Sequence, residues 1–459
     1  MLVEKKRGIF IFFALIYTVL IFFLSDEELL LTDILMSLSL FLGVLFVYDT
    51  TINVFSVKNL FYIIYILLGF HVRYLVILID DGTFMEFAPV PLSNVPEYHE
   101  KTAVILLAVT VVMIIAYNTK VMRTRSGILD RLVVEYNVFQ HTMVLLVYFI
   151  LLIVAMSYKF INTTIATSGS FGNLDNLFNS VTVVVQLLAY SALALYVKER
   201  KKKYFFLYLT YLIPIIVVNI INMWKSGLLF EILVLCIAFN RNKQNVKKRY
   251  IVVCIIAALI AFPLISMLRD NERYDSGYSV SVKSMIEYNL DNNVLISYSE
   301  RLAYYDETYY CLNASEEDIE AYREEAGGIV SRYFAGLIPR IIWKDKPVVN
   351  SGRYITYTLL HYPVAIYNNL TVGLISDAFL SYSYIGIIII MYMFACFIKG
   401  VENFNYEYEG MYGIGVYLTL GRVVFDFIEG DIAAKALSLT IVLIGMFCLK
   451  LIVSFERED

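Results

Sequence analysis

Residues Asn369–Phe394 read NLTVGLISDAFLSYSYIGIIIIMYMF, with Asp377 as the single charged side chain. A helix rises about 1.5 Å per residue, so about 20 mostly apolar residues cross the ~30 Å hydrocarbon core of a bilayer. This stretch is long enough to do so. Working outward, the whole chain has the same character. Its 459 residues are 59% hydrophobic and only 17% charged, and the mean hydropathy is +0.68. A soluble domain has roughly 45–50% apolar and about 25% charged residues. The composition therefore implies an all-α polytopic integral membrane protein.

Apolar runs suggest about 12 transmembrane helices by the length rule. They lie near 8–24, 29–48, 59–79, 102–118, 139–157, 179–197, 204–223, 226–239, 250–268, 370–398, 411–428 and 433–453. The first run lacks a small-residue cleavage site and leads into SDEE, so it is expected to be a span and not a cleaved signal. Lys and Arg crowd the N-terminus and alternate short loops: Lys5, Lys6 and Arg7; Lys120, Arg123, Arg125 and Arg131; Lys198 to Lys203; Arg241 to Arg249. By the positive-inside rule both termini are expected in the cytoplasm. Of the five cysteines only Cys311 falls in a polar loop, and no CxxC occurs. Neither a disulfide framework nor a metal ribbon is expected.

One connection breaks the rhythm. Residues 269–368 form a long outer loop between the spans of 1–268 and those of 369–459. Long loops cross largely regardless of charge, and a loop of this length is expected to be a folded cap of short helices. Its first half is acidic. Within it SEEDIEAYREEAGGI reads as a helix capped by Ser315 and ended by Gly327-Gly328. Its second half, from Arg332 to Pro363, holds Arg332, Arg340, Lys344, Lys346 and Arg353 against one acid, Asp345. Arginine forks match phosphate oxygens in pairs, and lysine adds point charge. The cluster suits a pyrophosphate, although the same cations can simply balance the acidic half.

Aromatic residues interleave the cations, including Tyr333 and Trp343, and suit stacking on sugar rings; interfacial anchoring explains many tyrosines equally. His361 is the one histidine joined to the cationic stretch. It is a candidate base, with Asp377 and Glu300 as others. Charges inside spans are costly and mark function or internal pairing. Arg73 lies in the third run, and Arg422, Asp426 and Glu429 share one face of the eleventh. The Walker, HExxH and GxSxG patterns are absent from the sequence, as is a basic face for nucleic acid.

Three features carry a resemblance. One is the span count with one late outer loop. Another is RYFAGLIPRIIWKDKPV followed by the opening stretch, with Arg332-x-x-x-Gly336 similar to an RxxxG pattern. The third is KSGLL after Trp224, with Lys225 where arginine is common. Together they resemble bacterial oligosaccharide repeat-unit polymerases of the O-antigen polymerase (Wzy) type. The resemblance implies a C-type glycosyltransferase-like fold in the bacterial inner membrane, with the active site on its outer side. Such an enzyme needs no metal or other cofactor. It moves a growing glycan from undecaprenyl pyrophosphate to a sugar hydroxyl of the next lipid-linked unit, for O-antigen, capsule or exopolysaccharide. Lipid-linked oligosaccharides, membrane lipid, a chain-length regulator and a flippase are the implied partners, and nucleic acid is not one. Related ligases use an outer-loop arginine and histidine, and Arg332 or Arg340, with His361, would fit those roles. By the chemistry of the residues, Arg332, Arg340 and Arg353 would grip the pyrophosphate with Lys344 and Lys346 assisting, and Arg73 and Arg422 would complete the site from below. A glycan ligase, a lipid-linked glycan flippase and a non-catalytic scaffold are the alternatives.

Overall fold

The structure is a computed structural model. It describes residues 2–48, 56–79, 95–119, 146, 149–150, 172–221, 225–241, 304–338, 342–343, 351–359, 373–407, 411–428 and 431–455. Among these, every regular element is a helix. Lipid offers backbone groups no partners, and a helix satisfies its own.

The long helices are α1 (Leu2–Leu24), α2 (Leu30–Tyr48), α3 (Val57–Ile79), α4 (Pro96–Asn118), α5 (Gly172–Glu199), α6 (Lys202–Ile221) and α7 (Lys225–Arg241). Short helices follow: α8 (Tyr304–Leu312), α9 (Glu316–Ala326), α10 (Ile329–Leu337) and α11 (Ser351–Tyr354). The chain closes with α12 (Leu374–Glu407), α13 (Met411–Ile428) and α14 (Ile432–Phe455). Ten of the twelve apolar runs coincide with helices. The runs at 139–157 and 250–268 lie outside the described residues, apart from helical positions at 146, 149 and 150.

Among the described residues, four segments are long and apolar enough to cross a membrane: Glu27–Val47, Val57–Ile79, Pro96–Asn118 and Leu374–Asn403. The protein is therefore a helical membrane protein by length and composition. The middle of α3, Tyr62–Val72, is wound as a π-helix.

Contacts at the two ends of the helices fix their directions. At one end Arg73 of α3 meets Asp306 of α8, and His99 of α4 meets Tyr305 of α8. At the other end Glu402 of α12 accepts a hydrogen bond from the Lys58 backbone N–H at 3.0 Å, and Lys399 donates to the Thr119 carbonyl at 2.7 Å. The Lys58 ammonium also donates to the carbonyl of Phe46, at the far end of α2. So α3 runs toward the face made by α8, α9 and α10, hereafter the loop face, while α2, α4 and α12 run away from it.

The short helices follow local rules. Ser315 caps α9, its hydroxyl accepting from the Asp318 N–H at 3.1 Å. Gly327 ends α9 at φ +70°, where glycine has no Cβ penalty.

The α12 helix does what its sequence does not announce. It breaks at Tyr382 (φ −144°, ψ 18°) and Ser383 (φ 58°, ψ −157°). A break in an apolar helix leaves carbonyls that need donors. Arg323 of α9 supplies them, with Nε on the Leu380 carbonyl at 2.8 Å and Nη2 on Ser383 Oγ at 2.7 Å. The turn is so tight that a Cβ on Gly386 would come within 2.5 Å of the Ala378 carbonyl oxygen. On the other side Tyr382 accepts a hydrogen bond from the Val330 N–H at 3.0 Å, serving an otherwise orphan donor of the first turn of α10.

Candidate functional site

Ionised groups buried among apolar helices need partners, because desolvation costs several kcal/mol per ion. Three charged constellations meet that need at or near the loop face.

The first centres on Arg332. The buried face of α10 carries Ile329, Arg332 and Ala335, so the arginine turns inward. Its guanidinium is fully buried. It bonds Asp377 of α12 through Nη2, and its Nε lies 3.5 Å from Asp431. Nη1 donates to the Tyr322 hydroxyl and to the Gly327 carbonyl, each at 3.0 Å. Backbone donors complete the carboxylates: Ile432 N–H on Asp377 at 3.0 Å, and Ser351 N–H on Asp431 at 2.6 Å. Asp431 also caps α14, accepting from the Ala434 N–H at 3.1 Å. Five helices, α9 to α12 and α14, meet around this ion cluster, α11 through the Ser351 bond to Asp431. Burial works against the Arg332 charge, but Asp377 and Asp431 outweigh it and hold its pKa above the ordinary value. Burial and the nearby Asp377 raise the Tyr322 phenol. The group is an internally paired structural knot, one guanidinium against two carboxylates, and its chemistry is positioning.

The second is a clamp between α3 and α8. Arg73 donates from Nε and Nη2 to the two oxygens of Asp306, at 2.9 and 2.6 Å, with both side chains at or below 1% exposure. Tyrosines surround it. Tyr305 shares a hydrogen bond with His99 Nδ1 at 2.7 Å, and Tyr74 donates to Asp33 at 2.8 Å. Tyr304, Tyr305, Tyr309 and Tyr322 are all buried. Burial pushes the Tyr309 phenol up to about 12 and raises the Cys311 thiol.

The third lies where α7 and α13 pack together. Arg422 pairs with Asp426 one turn on at 3.1 Å, and its guanidinium sits 4.3 Å over the Phe230 ring. The next residue, Glu231, is buried and accepts from the Tyr190 hydroxyl at 2.8 Å. The side chains of Arg422 and Asp426 are 10% and 26% exposed, unlike the first two constellations. Of the three constellations this is the one with a partly open edge, at Asp426. It stands about a turn and a half of helix before the end of α13 near Asp431, so it is close beneath the loop face.

The candidate residues are thereby sorted. Arg332 does not offer its guanidinium to an external anion, because two aspartates occupy it; that expectation is corrected. Asp377 is committed to the same knot, and so is displaced as a base. Arg73 is committed to Asp306, which removes it from the pyrophosphate as well. Tyr333 is half-buried, with its hydroxyl 2.8 Å from Thr440 of α14, and Trp343 is 41% exposed. Tyr304, Tyr305, Tyr309 and Tyr322, in the acidic half of the loop, are buried and present no ring face to a sugar. His361, Arg340, Lys344, Lys346 and Glu300 lie outside the described residues, as does the side chain of Arg353 in α11. Asp431 and Arg323 were not singled out from sequence. For Asp431 a signal existed: an acid directly before an apolar run is a helix-start pattern.

No family model, no curated protein and no solved structure matches the chain.

Proposed function

We propose that the protein is a membrane glycosyltransferase that polymerises lipid-linked oligosaccharide repeat units, with its site on the outer side of a bacterial inner membrane. The observation that carries this reading is the Arg422–Asp426 pair, backed by buried Glu231 and left partly open close beneath the loop face. A partly exposed ionic group inside an apolar bundle is costly, and such groups mark sites for charged substrates. The resemblance of the stretch 330–395 to repeat-unit polymerases supplies the substrate class.

In this reaction the bond between sugar C1 and the pyrophosphate oxygen breaks. A bond forms from C1 to the acceptor hydroxyl oxygen. The hydroxyl proton passes to a base, and lipid pyrophosphate leaves with the electron pair. Arg422 stabilises the charge that develops on the leaving group. Arg340, Arg353, Lys344 and Lys346 add to it from the cationic stretch, with His361 or Glu300 as base. The Arg332 knot and the Arg73 clamp hold the loop helices over the site. The bond broken is already activated, so no nucleotide is needed.

The test supplies purified protein in nanodiscs with undecaprenyl-pyrophosphate repeat units and no nucleotide sugar. A ladder of longer glycans is expected. Absence of a ladder, together with lipid translocation in sealed vesicles, would replace the reading with transport.

A further inference from the structure

Within the long loop, α10 is amphipathic in the reverse of the usual sense. A cap helix bathed in water turns its polar side outward. In α10 the charged side chain, Arg332, is the buried one. The outward side instead carries Val330 at 57% exposure, Phe334 at 58%, Leu337 at 43% and, just past the helix, Ile338 at 36%. The polar groups near that side are already satisfied. The Ser331 hydroxyl donates to the Gly328 carbonyl at 2.7 Å, and the Tyr333 hydroxyl is engaged with Thr440.

Depth agrees with the pattern. Tyr333 meets Thr440, nine residues beyond Asp431 at the start of α14. At about 1.5 Å per residue that is ~13 Å along the helix, close to the thickness of one leaflet's hydrocarbon. The face is also continuous with a lipid-facing one. Val330 is hydrogen-bonded to Tyr382, and just past the α12 break Ile385, Ile388 and Ile389 stand 70%, 50% and 52% exposed on a segment that can span a membrane.

We infer that α10 is embedded in the bilayer leaflet at the loop face, with Val330, Phe334, Leu337 and Ile338 against acyl chains. Part of what reads in sequence as an aqueous loop is then a membrane-seated helix. The Arg332 knot anchors its inner side, and lipid covers its outer side. The inference does not depend on the proposed reaction.

Depth-resolved fluorescence tests it. In a background of Trp224→Phe and Trp343→Phe, a single reporter is placed by Phe334→Trp, and separately by Ile388→Trp as the lipid-facing standard. Full-length protein is reconstituted in phosphatidylcholine vesicles brominated along the acyl chain. Quenching at 334 is expected to reach at least half of that at 388, with acrylamide quenching weakly. Quenching below half of the standard would overturn the assignment, whether water, a soluble partner or a second copy covers the face. Should Phe334→Trp fail to fold, Leu337→Trp in the same background, at a position 43% exposed on the same face, is read under the same threshold.

Discussion

Arg73 and Asp306, 233 positions apart in sequence, form a two-pronged ion pair with Nε on Oδ1 at 2.9 Å and Nη2 on Oδ2 at 2.6 Å. It is the bond that ties the loop helices to α3. Removing one partner of such a pair strands a buried charge, at a cost of about 3–5 kcal/mol. Arg73→Ala and Asp306→Ala should each lower the melting temperature markedly. Arg73→Met with Asp306→Leu should recover most of the loss. A double-mutant cycle checks this, and additivity within about 0.5 kcal/mol would show that the pair is not coupled.

Arg332 should behave as a structural residue. Arg332→Ala leaves Asp377 and Asp431 facing each other without their cation, again at about 3–5 kcal/mol. Adding Asp377→Asn should restore part of that stability. If Arg332→Ala melts like wild type yet abolishes glycan extension, the arginine touches substrate and the structural assignment fails.

The break in α12 gives a conformational prediction. Ser383 sits at φ 58°, which β-branched residues adopt only with strain. Ser383→Val should destabilise by about 1–2 kcal/mol more than Ser383→Gly. Both variants lose the bond to Arg323, so their difference isolates the backbone. Equal melting temperatures would mean that the backbone at this position is not left-handed.

At Arg422 activity should fall further than any loss of folded protein explains. Its side chain is only 10% exposed and lies beside buried Glu231, but its pair is local, one helical turn away, and Asp426 is 26% exposed. Arg422→Ala should therefore cost up to about 3 kcal/mol in stability, at the lower end of what breaking a buried pair costs. Glycan extension should drop about 100-fold, on the scale of losing one charge-stabilising donor. Assaying the variant at matched folded protein separates the two effects; near-wild-type extension would remove Arg422 from the site.

The Ser315 cap predicts a purely local effect. Ser315→Ala should cost about 1 kcal/mol. Hydrogen exchange should quicken across the first turn of α9 while α12 stays protected. Uniform exchange loss through α12 would show that the cap acts on more than its own helix.

What could be read in the sequence was what adjacent residues decide. SEEDIEAYREEAGGI carries its own start and stop, and the helix begins and ends where Ser315 and Gly327 put it. The apolar runs became helices because lipid-length stretches have one way to satisfy their backbone. The candidate site was less legible. Arg332 was visible as a cation beside a membrane, but its role depends on Asp377 and Asp431, 45 and 99 residues away. Nothing in RYFAGLIPR distinguishes an arginine gripping a ligand from one locked to aspartates. LSYSYIG, likewise, gives no proline to mark the α12 break. That break is held by Arg323, which the sequence places on an ordinary acidic helix.

The sequence by itself determined a helical membrane protein, the places of most helices and the cap of α9, since hydropathy and capping act within a turn or a span of chain. Tertiary structure alone decided which charges are consumed and which remain open. Buried charge is tolerated only beside a partner, and the partners of Arg73 and Arg332 come from distant segments brought together by packing. That is why the Arg422–Asp426 pair, and not the Arg332 knot, keeps a partly open edge, at Asp426.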